Sequence, residues 1–139
     1  MGTKQGAGLG KVLLKKGKVM AYLVGSAAKT RVGDAVPVFY MRMPDGKGIE
    51  EVVLVALDKK NDRREINMGP PAPKPDLKSE TFRPFDSLEV GVGLFRLTPT
   101  TLGKGEYMFF LMGAAEPAKG AYGKGYDFGV DPPAVVRKH

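Results

Sequence analysis

Glycine and proline interrupt this chain so often that a long helix has no room to form. The 139 residues include 19 glycines and 11 prolines, and a turn signal recurs about every eight to twelve positions. Inside a helix, glycine costs about 1 kcal/mol and proline about 3 kcal/mol relative to alanine. Short strands fit between such interruptions, so the sequence predicts an all-β fold.

The apolar runs between these turns predict six strands clearly and three more from weaker patterns. The clear strands are Lys18 to Val24, Pro37 to Met43, Glu51 to Leu57, Gly93 to Thr98, Glu106 to Met112 and Tyr126 to Val130. The weaker ones are Lys11 to Leu14, Arg63 to Met68 and Thr81 to Phe85.

Alternating side chains support the strand assignment, and one turn suggests how two strands pair. In Pro37 to Met43, Phe39 and Met41 fall on one face while Tyr40 and Arg42 fall on the other, as in a half-buried strand. The turn sequence Pro44 to Gly48 follows this strand. Because its glycines can adopt positive φ, we expect the strands before and after it to form a β-hairpin.

The length and composition predict one domain over residues 1–139. An apolar fraction of 42% and a charged fraction of 27% are ordinary for a globular chain. We expect a β-sandwich of seven to nine mostly antiparallel strands, with a flexible basic arm at residues 1–10 and a flexible tail at residues 132–139. Four prolines between Gly69 and Asp76 predict a stiff connecting loop. The predicted core residues are Leu23, Phe39, Met41, Val53, Val55, Leu97, Tyr107, Phe109, Leu111 and Phe128.

The net charge of +7 is concentrated at the amino-terminal end. Residues 1–33 contain seven basic residues and no acidic one, whereas residues 34–139 contain fifteen of each. A local basic segment can attract phosphates or other polyanions, which makes Lys11, Lys15, Lys16 and Lys18 the candidate polyanion-binding residues. The same lysines would also protect an edge strand against unwanted pairing. Nucleic acid is the less favoured polyanion, because Tyr22 is the only aromatic residue interleaved with these lysines.

Apparent enzyme motifs lack the context that their chemistry needs. The glycines before Lys11 resemble a phosphate-binding loop, but Val12 stands where a serine or threonine should hold magnesium. Asp127-Phe128-Gly129 spells a kinase triplet without the preceding catalytic loop. The chain has one histidine, His139, and no cysteine, so a histidine triad or a zinc site has no second member. We therefore expect no enzyme and no catalytic, cofactor or metal site.

A short motif in the last third of the chain resembles the tyrosine corner of immunoglobulin-like sandwiches. It consists of Leu102, Gly105 and Tyr107 between two apolar strands. In that family a tyrosine near the start of strand F turns its hydroxyl back to a backbone group a few residues upstream. The resemblance implies that Gly93 to Thr98, Glu106 to Met112 and Tyr126 to Val130 correspond to strands E, F and G. The tryptophan and cysteine pair of antibody domains are absent.

The segments Gly105 to Tyr107 and Tyr126 to Val130 are also similar to sandwich domains of uncharacterised bacterial envelope and secreted proteins. That resemblance implies a non-catalytic accessory module. The expected function is a binding or structural module, and the alternative is a nucleic-acid or polyanion binder. The apolar runs are too short to predict a membrane span. A periplasmic or secreted location is expected if a leader has been removed, and a cytoplasmic one otherwise.

One strand carries two apolar rows and therefore raises the question of an interface. Met108, Phe110 and Met112 alternate with Tyr107 and its neighbours along the predicted strand, so the two rows point to opposite faces. If the first row is uncovered, it forms an interface with another protein or with a second copy. If it is covered within the chain, the glycine-rich segment Gly113 to Gly125 or a terminal segment is the expected cover.

Overall fold

The computed structural model describes residues 7–8, 11–34, 36–44, 46–70, 76–111 and 124–131. Over these ranges the fold is all-β, as predicted. The strands are β1 (Ala7–Gly8), β2 (Lys11–Lys15), β3 (Lys18–Val24), β4 (Arg31–Val32), β5 (Phe39–Arg42), β6 (Val52–Lys59), β7 (Arg63–Asn67), β8 (Phe82–Arg83), β9 (Phe85–Gly91), β10 (Leu94–Pro99), β11 (Gly105–Leu111) and β12 (Lys124–Val130). Two single 3-10 turns, Ile49–Glu51 and Ser79–Thr81, precede β6 and β8.

The strands form a large sheet and a small sheet. The large sheet runs in the order β1-β12-β11-β6-β7-β3-β2, with β4 beside β12 and β8 beside β6. The small sheet has the order β5-β10-β9. All described pairings are antiparallel except that of β4 with β12, which is parallel. The chain passes from the large sheet to the small one at Pro84, between β8 and β9.

Aromatic side chains join the small sheet to one face of the large sheet. Phe39 of β5 lies 4.5 Å from Phe128 of β12, and Phe85 of β9 lies 5.5 Å from Phe109 of β11, between ring centroids. Tyr107 stacks on Phe128 at 5.8 Å. Such rings bury large apolar areas and also gain from their mutual geometry, so this cluster holds the two sheets together.

A second core lies on the opposite face of β6 and β11. β6 pairs with β11 from Val52 to Leu57 and with β7 at Asp58 and Lys59, so it belongs to both halves of the large sheet. Through this shared strand, β7 and β3 pack over the face that the small sheet leaves free. The buried residues of this core are Ala21, Leu23, Val55, Leu57, Ile66, Met68, Leu77, Met108 and Phe110.

The predicted strands are confirmed in position, whereas one predicted pairing is wrong. β3 has the predicted bounds, and each of the six clear strands is present within two residues at its ends. The strands around Pro44 to Gly48 do not form a hairpin, because β5 pairs with β10 and β6 pairs with β11. The turn chemistry is local, and it holds no information about which strand accepts the backbone hydrogen bonds.

The predicted terminal segments are only partly described. Ala7 and Gly8 of the predicted arm form β1 and pair with Gly125 and Lys124. The rest of residues 1–10 and the predicted tail at 132–139 lie outside the described residues. So do residues 71–75 of the predicted proline-rich loop. At the edges of that loop, the Asp76 amide donates to the Met68 carbonyl at 3.0 Å.

Candidate functional site

Most of the exposed large hydrophobic side chains of the described residues lie on or beside the small sheet. Among the described residues, eight large hydrophobic side chains are exposed, and six of them belong to this sheet or its adjoining loops. These six are Val36, Val38, Tyr40, Leu88, Val90 and Val92. We call the outward side of β5, β10 and β9 the outer face.

Strand register places two of these six side chains in one row. Tyr40 and Leu88 lie on either side of Arg96 across β5, β10 and β9. Neighbouring residues such as Leu97 point the other way and are fully buried in the aromatic core. Because side chains alternate along a strand, the burial of Met41 and Leu97 leaves Tyr40 and Arg96 at the surface. The neighbours of Leu88 along β9 are themselves exposed.

The outer face carries charge of both signs at its margins. Asp86 lies opposite Thr98 at one end of β9, whereas Arg42 lies opposite Leu94 at the far end of β5. One guanidinium nitrogen of Arg42 donates to the Val92 carbonyl at 3.1 Å, which orients this side chain along the sheet. The surface therefore has the exposed Arg96 between Tyr40 and Leu88 in its middle row, and an acid and a base at opposite corners.

The predicted interface of Met108, Phe110 and Met112 is corrected by the structure. Met108 and Phe110 are fully buried in the second core, against residues of β3 and β7 such as Leu23 and Ile66. Among the described residues, β3 and β7 therefore cover Met108 and Phe110. Met112 and the segment 112–123 lie outside the described residues. The exposed apolar row lies on the small sheet, where sequence reasoning did not look for it.

The predicted corner residues lie together at the start of β11. The Tyr107 hydroxyl donates to the Gly103 carbonyl at 2.8 Å, four residues upstream. Leu102 is buried beside the same core, and Gly105 is the first residue of β11. A methyl group on Gly105 would lie 3.5 Å from that hydroxyl, an ordinary contact, so the Tyr107 ring does not by itself require glycine there. The hydrogen bond from Tyr107 to Gly103 fastens the connection by which the chain passes from the small sheet to the large one.

Three of the four predicted polyanion residues meet at the tip of one hairpin. Lys15 pairs with Lys18 across β2 and β3, and Lys16 occupies the turn between them with φ of 52°. The following Gly17 has φ of 76°, and positive φ at both central residues is typical of a type I′ turn. All three lysines are exposed. Lys11 pairs with Tyr22 at the other end of β2, away from the tip.

A buried ionic cluster missed by sequence reasoning joins three distant parts of the chain. Glu106 is 4% exposed, and it accepts from the Ala28 amide and from Arg31, each at 2.7 Å. Arg31 also contacts both carboxylate oxygens of Asp131, at 2.6 and 3.0 Å. Arg64, 3% exposed, contacts Asp127 at 2.7 Å. The lone signal in the sequence was Glu106, an acid at the start of an apolar strand.

The ion pairs shift the titration of their members. The two hydrogen bonds from Arg31 hold the pKa of Asp131 below its usual value. In turn, the hydrogen bonds to Asp131 and Glu106 raise the pKa of Arg31. Because Arg31 is neutralised in this way, it does not contribute to the basic surface of the amino-terminal segment. The cluster is satisfied internally, which is the condition under which buried charges are tolerated.

Searches of the described residues for metal-binding clusters and membrane-spanning helices, and of known proteins for similar ones, found none. Within the described residues, no group of three or more His, Cys, Asp or Glu side chains is placed to hold a metal ion. Over the same ranges, no helix is long and apolar enough to span a bilayer. No protein-family model, no curated protein and no solved structure matches the chain.

Proposed function

We propose that this protein is a non-catalytic, immunoglobulin-like binding module that docks another protein on its outer face. The observation that carries this proposal is the concentration of six of the eight exposed large hydrophobic side chains on that surface. Scattered apolar residues are normal on a protein surface, whereas a contiguous patch on one sheet is typical of an interaction site.

The strand order supports the immunoglobulin-like assignment. In that fold one sheet has the order A-B-E-D and the other has C-F-G. Here the small sheet, β5-β10-β9, has the order and chain sequence of B-E-D. The adjacent β6-β11-β12 of the large sheet has those of C-F-G. The hydroxyl of Tyr107 makes the corner hydrogen bond at the start of the F-like strand.

Two features depart from the simplest form of that fold. β4 lies parallel to β12 on the edge away from β11, which β1 also pairs with. β7, β3 and β2 extend the sheet beyond the C-like β6. The extension packs over Met108 and Phe110 and so covers the outside of the C-F-G sheet. It leaves the outer face of the small sheet as the exposed side of the sandwich.

The chemistry of the buried charges supports a non-catalytic role. Catalytic acids and bases need a perturbed pKa and access to a substrate. Here the buried carboxylate of Glu106 is engaged by Arg31 and by the Ala28 amide. The hydrogen bond from Ala28 joins the segment before β4 to β11, which is a structural role.

Site-specific photo-cross-linking tests the docking function. A photoreactive residue at Leu88 should give a discrete protein adduct in the cells that naturally make the protein. The same residue at Leu14, which is 67% exposed on β2, is the matched control and should give none. Equal adduct patterns from both positions, or none from Leu88, would contradict a docking role for the outer face.

A polyanion-binding function is the second candidate, and the hairpin tip is what favours it. Three exposed lysines, Lys15, Lys16 and Lys18, lie at the turn between β2 and β3. Such a cluster attracts anions in a salt-dependent way. Changing all three to glutamate should lower the salt concentration needed to elute the protein from heparin.

Three lysines elsewhere provide a charge-matched control for that experiment. Lys29, Lys59 and Lys60 are exposed and lie away from the tip. If changing them to glutamate lowers the elution salt as much as changing the tip does, net charge alone explains the retention. The second candidate then fails, whereas the docking proposal is unaffected.

A further inference from the structure

We propose that the tip of the hairpin between β2 and β3 binds the surface of a lipid bilayer that contains anionic lipids. This inference rests on the second candidate function, polyanion binding by the lysines of the tip, and it names the polyanion. It is independent of docking at the outer face. An anionic bilayer differs from a soluble polyanion because an apolar layer lies beneath its charged surface. The tip carries side chains suited to both layers.

The end of the hairpin is exposed on both of its strands. β3 pairs with β7 only from Met20 onward, and Val19 contacts Met68 and Gly69 through its backbone. Residues 14–18 lie beyond these contacts, and all five are exposed. The tip is therefore accessible to a partner outside the chain.

The lysines of the tip are placed at a cost to the hairpin. Lys15 and Lys18 lie directly opposite each other, and like charges in this position are destabilising. Lys16 has a φ of 52°, which glycine and asparagine adopt more readily than lysine. Protection of an edge strand accounts for Lys15 on β2, whereas Lys18 belongs to β3, which has a neighbour on each side. An anionic surface accounts for all three lysines, because it attracts each of them.

Leu14 gives the tip an apolar side. It is 67% exposed, precedes Lys15 on β2, and pairs with the half-buried Val19 of β3. Because side chains alternate along a strand, Leu14 and Val19 lie on one face of the hairpin, and Lys15 and Lys18 lie on the other. At a membrane surface an apolar side chain enters the headgroup region, while neighbouring lysines keep their charged ends among the phosphates.

Two observations favour lipid over nucleic acid or a sulfated polysaccharide. Tyr22 is the aromatic residue nearest to the tip in sequence, and it pairs with Lys11 at the other end of β2. The Arg63 guanidinium lies over its ring, 5.4 Å from the centroid, so this ring is already engaged. Binding of single-stranded nucleic acid uses aromatic rings on which bases can stack. Leu14 adds little to a purely ionic contact with a polysaccharide, whereas a bilayer offers it an apolar environment.

Co-sedimentation of the full chain with lipid vesicles tests the inference. Vesicles of phosphatidylcholine with about one-third phosphatidylglycerol should bind the parent, and vesicles of phosphatidylcholine alone should not. Changing the three tip lysines to glutamine should weaken binding to the anionic vesicles at least about tenfold. Changing Lys29, Lys59 and Lys60 to glutamine is the charge-matched control and should weaken it by less than about threefold, because exposed charges away from the surface are screened by salt.

A fluorescent probe then distinguishes insertion of the tip from simple attraction. The chain has no tryptophan, so Leu14→Trp and Leu88→Trp each introduce a single one at an exposed leucine. With anionic vesicles, the emission of Leu14→Trp should shift to shorter wavelength and be shielded from an aqueous quencher, because tryptophan favours the headgroup region. The emission of Leu88→Trp should stay unchanged.

Three results would overturn the inference. They are a parent that does not bind anionic vesicles, binding that the tip lysines do not affect, and binding in which the emission of Leu14→Trp stays the same or shifts no more than that of Leu88→Trp. If heparin retention still depends on the tip lysines in any of these cases, the second candidate function stands with a soluble polyanion. If it does not, both proposals fail together.

Discussion

Arg31, the first residue of β4, connects this strand with the start of β11 and the end of β12. Its guanidinium reaches Glu106 at 2.7 Å and both oxygens of Asp131. The planar fork of arginine suits such two-pronged contacts, and lysine would not reproduce them. In the sequence Arg31 belongs to a basic segment, but in the fold its charge is balanced by the carboxylates of Glu106 and Asp131. The charge excess that remains for an external partner is therefore carried by lysines.

The lowered pKa of Asp131 predicts how the stability depends on pH. Because Arg31 lowers the pKa in the folded state, the folded protein holds this proton less tightly than the unfolded chain. The stabilisation is therefore complete above the ordinary aspartate pKa of about 3.9 and is lost as the pH falls through the lower, folded-state value. Asp131→Asn should lack this contribution at every pH.

Denaturant unfolding of both proteins between about pH 6 and pH 2 measures the effect. The parent should be the more stable at the upper end, and the difference between the two should shrink on acidification. A difference that stays constant over the range would show that the Asp131 carboxylate does not contribute through its charge.

At the level of elements, Gly129 of β12 lies directly opposite Arg31 on the neighbouring strand β4 and leaves space for its side chain. A methyl group added there would collide with the Arg31 guanidinium. A flexible arginine could normally move aside, but Arg31 is anchored on both Glu106 and Asp131. The glycine of the Asp127-Phe128-Gly129 triplet thus has a packing role in this structure.

Gly129→Ala should therefore destabilise the protein by about 1 to 3 kcal/mol, the usual cost of adding a methyl group at a packed position. Gly103→Ala is the matched control, since a methyl group there meets nothing within 4 Å, and its midpoint of urea unfolding should hardly change. Equal midpoints for the two variants would mean that Arg31 is free to leave its partners.

Tyr107 fastens the connection that leads into β11, and mutation can separate the contribution of its hydroxyl from that of its ring. Tyr107→Phe removes the hydroxyl that donates to Gly103 and should cost about 0.5 to 1.5 kcal/mol. Tyr107→Ala also opens a cavity in the aromatic core and should cost about 3 to 5 kcal/mol. Tyr40→Phe, at an exposed tyrosine, serves as the control and should be neutral in the same denaturant titration.

At the level of the whole molecule, the large sheet separates two cores, so apolar rows that look alike in sequence have opposite roles. Phe110 is fully buried between the sheet and β3, whereas Leu88 is 53% exposed on the outer face. We expect Phe110→Ser to cost at least about 3 kcal/mol of unfolding free energy, and Leu88→Ser to cost less than about 0.5 kcal/mol.

Thermal unfolding at low protein concentration compares the two variants without a contribution from association. A Phe110→Ser protein as stable as the parent would place Phe110 at the surface, and the second core would then be wrong.

Local patterns in the sequence were sufficient for what depends on neighbours along the chain. The alternation of Phe39 and Met41 with Tyr40 predicted which side chains face the core, and the tyrosine of the corner could be identified because its hydrogen bond spans only four residues. Glycine and proline excluded long helices for the same reason, since they act on the backbone where they stand.

Tertiary structure decided everything that depends on which strands become neighbours. β9 has the polar Ser87 and Glu89 on its inward side and Leu88 on the outside, so its pattern carries no signal of burial, and it was missed beyond its first residue. The cover over Met108 comes from β3, more than 80 residues earlier in the chain. Partners in a sheet are chosen by long-range packing, so neither the buried ionic cluster nor the exposed outer face was encoded in any single stretch of sequence.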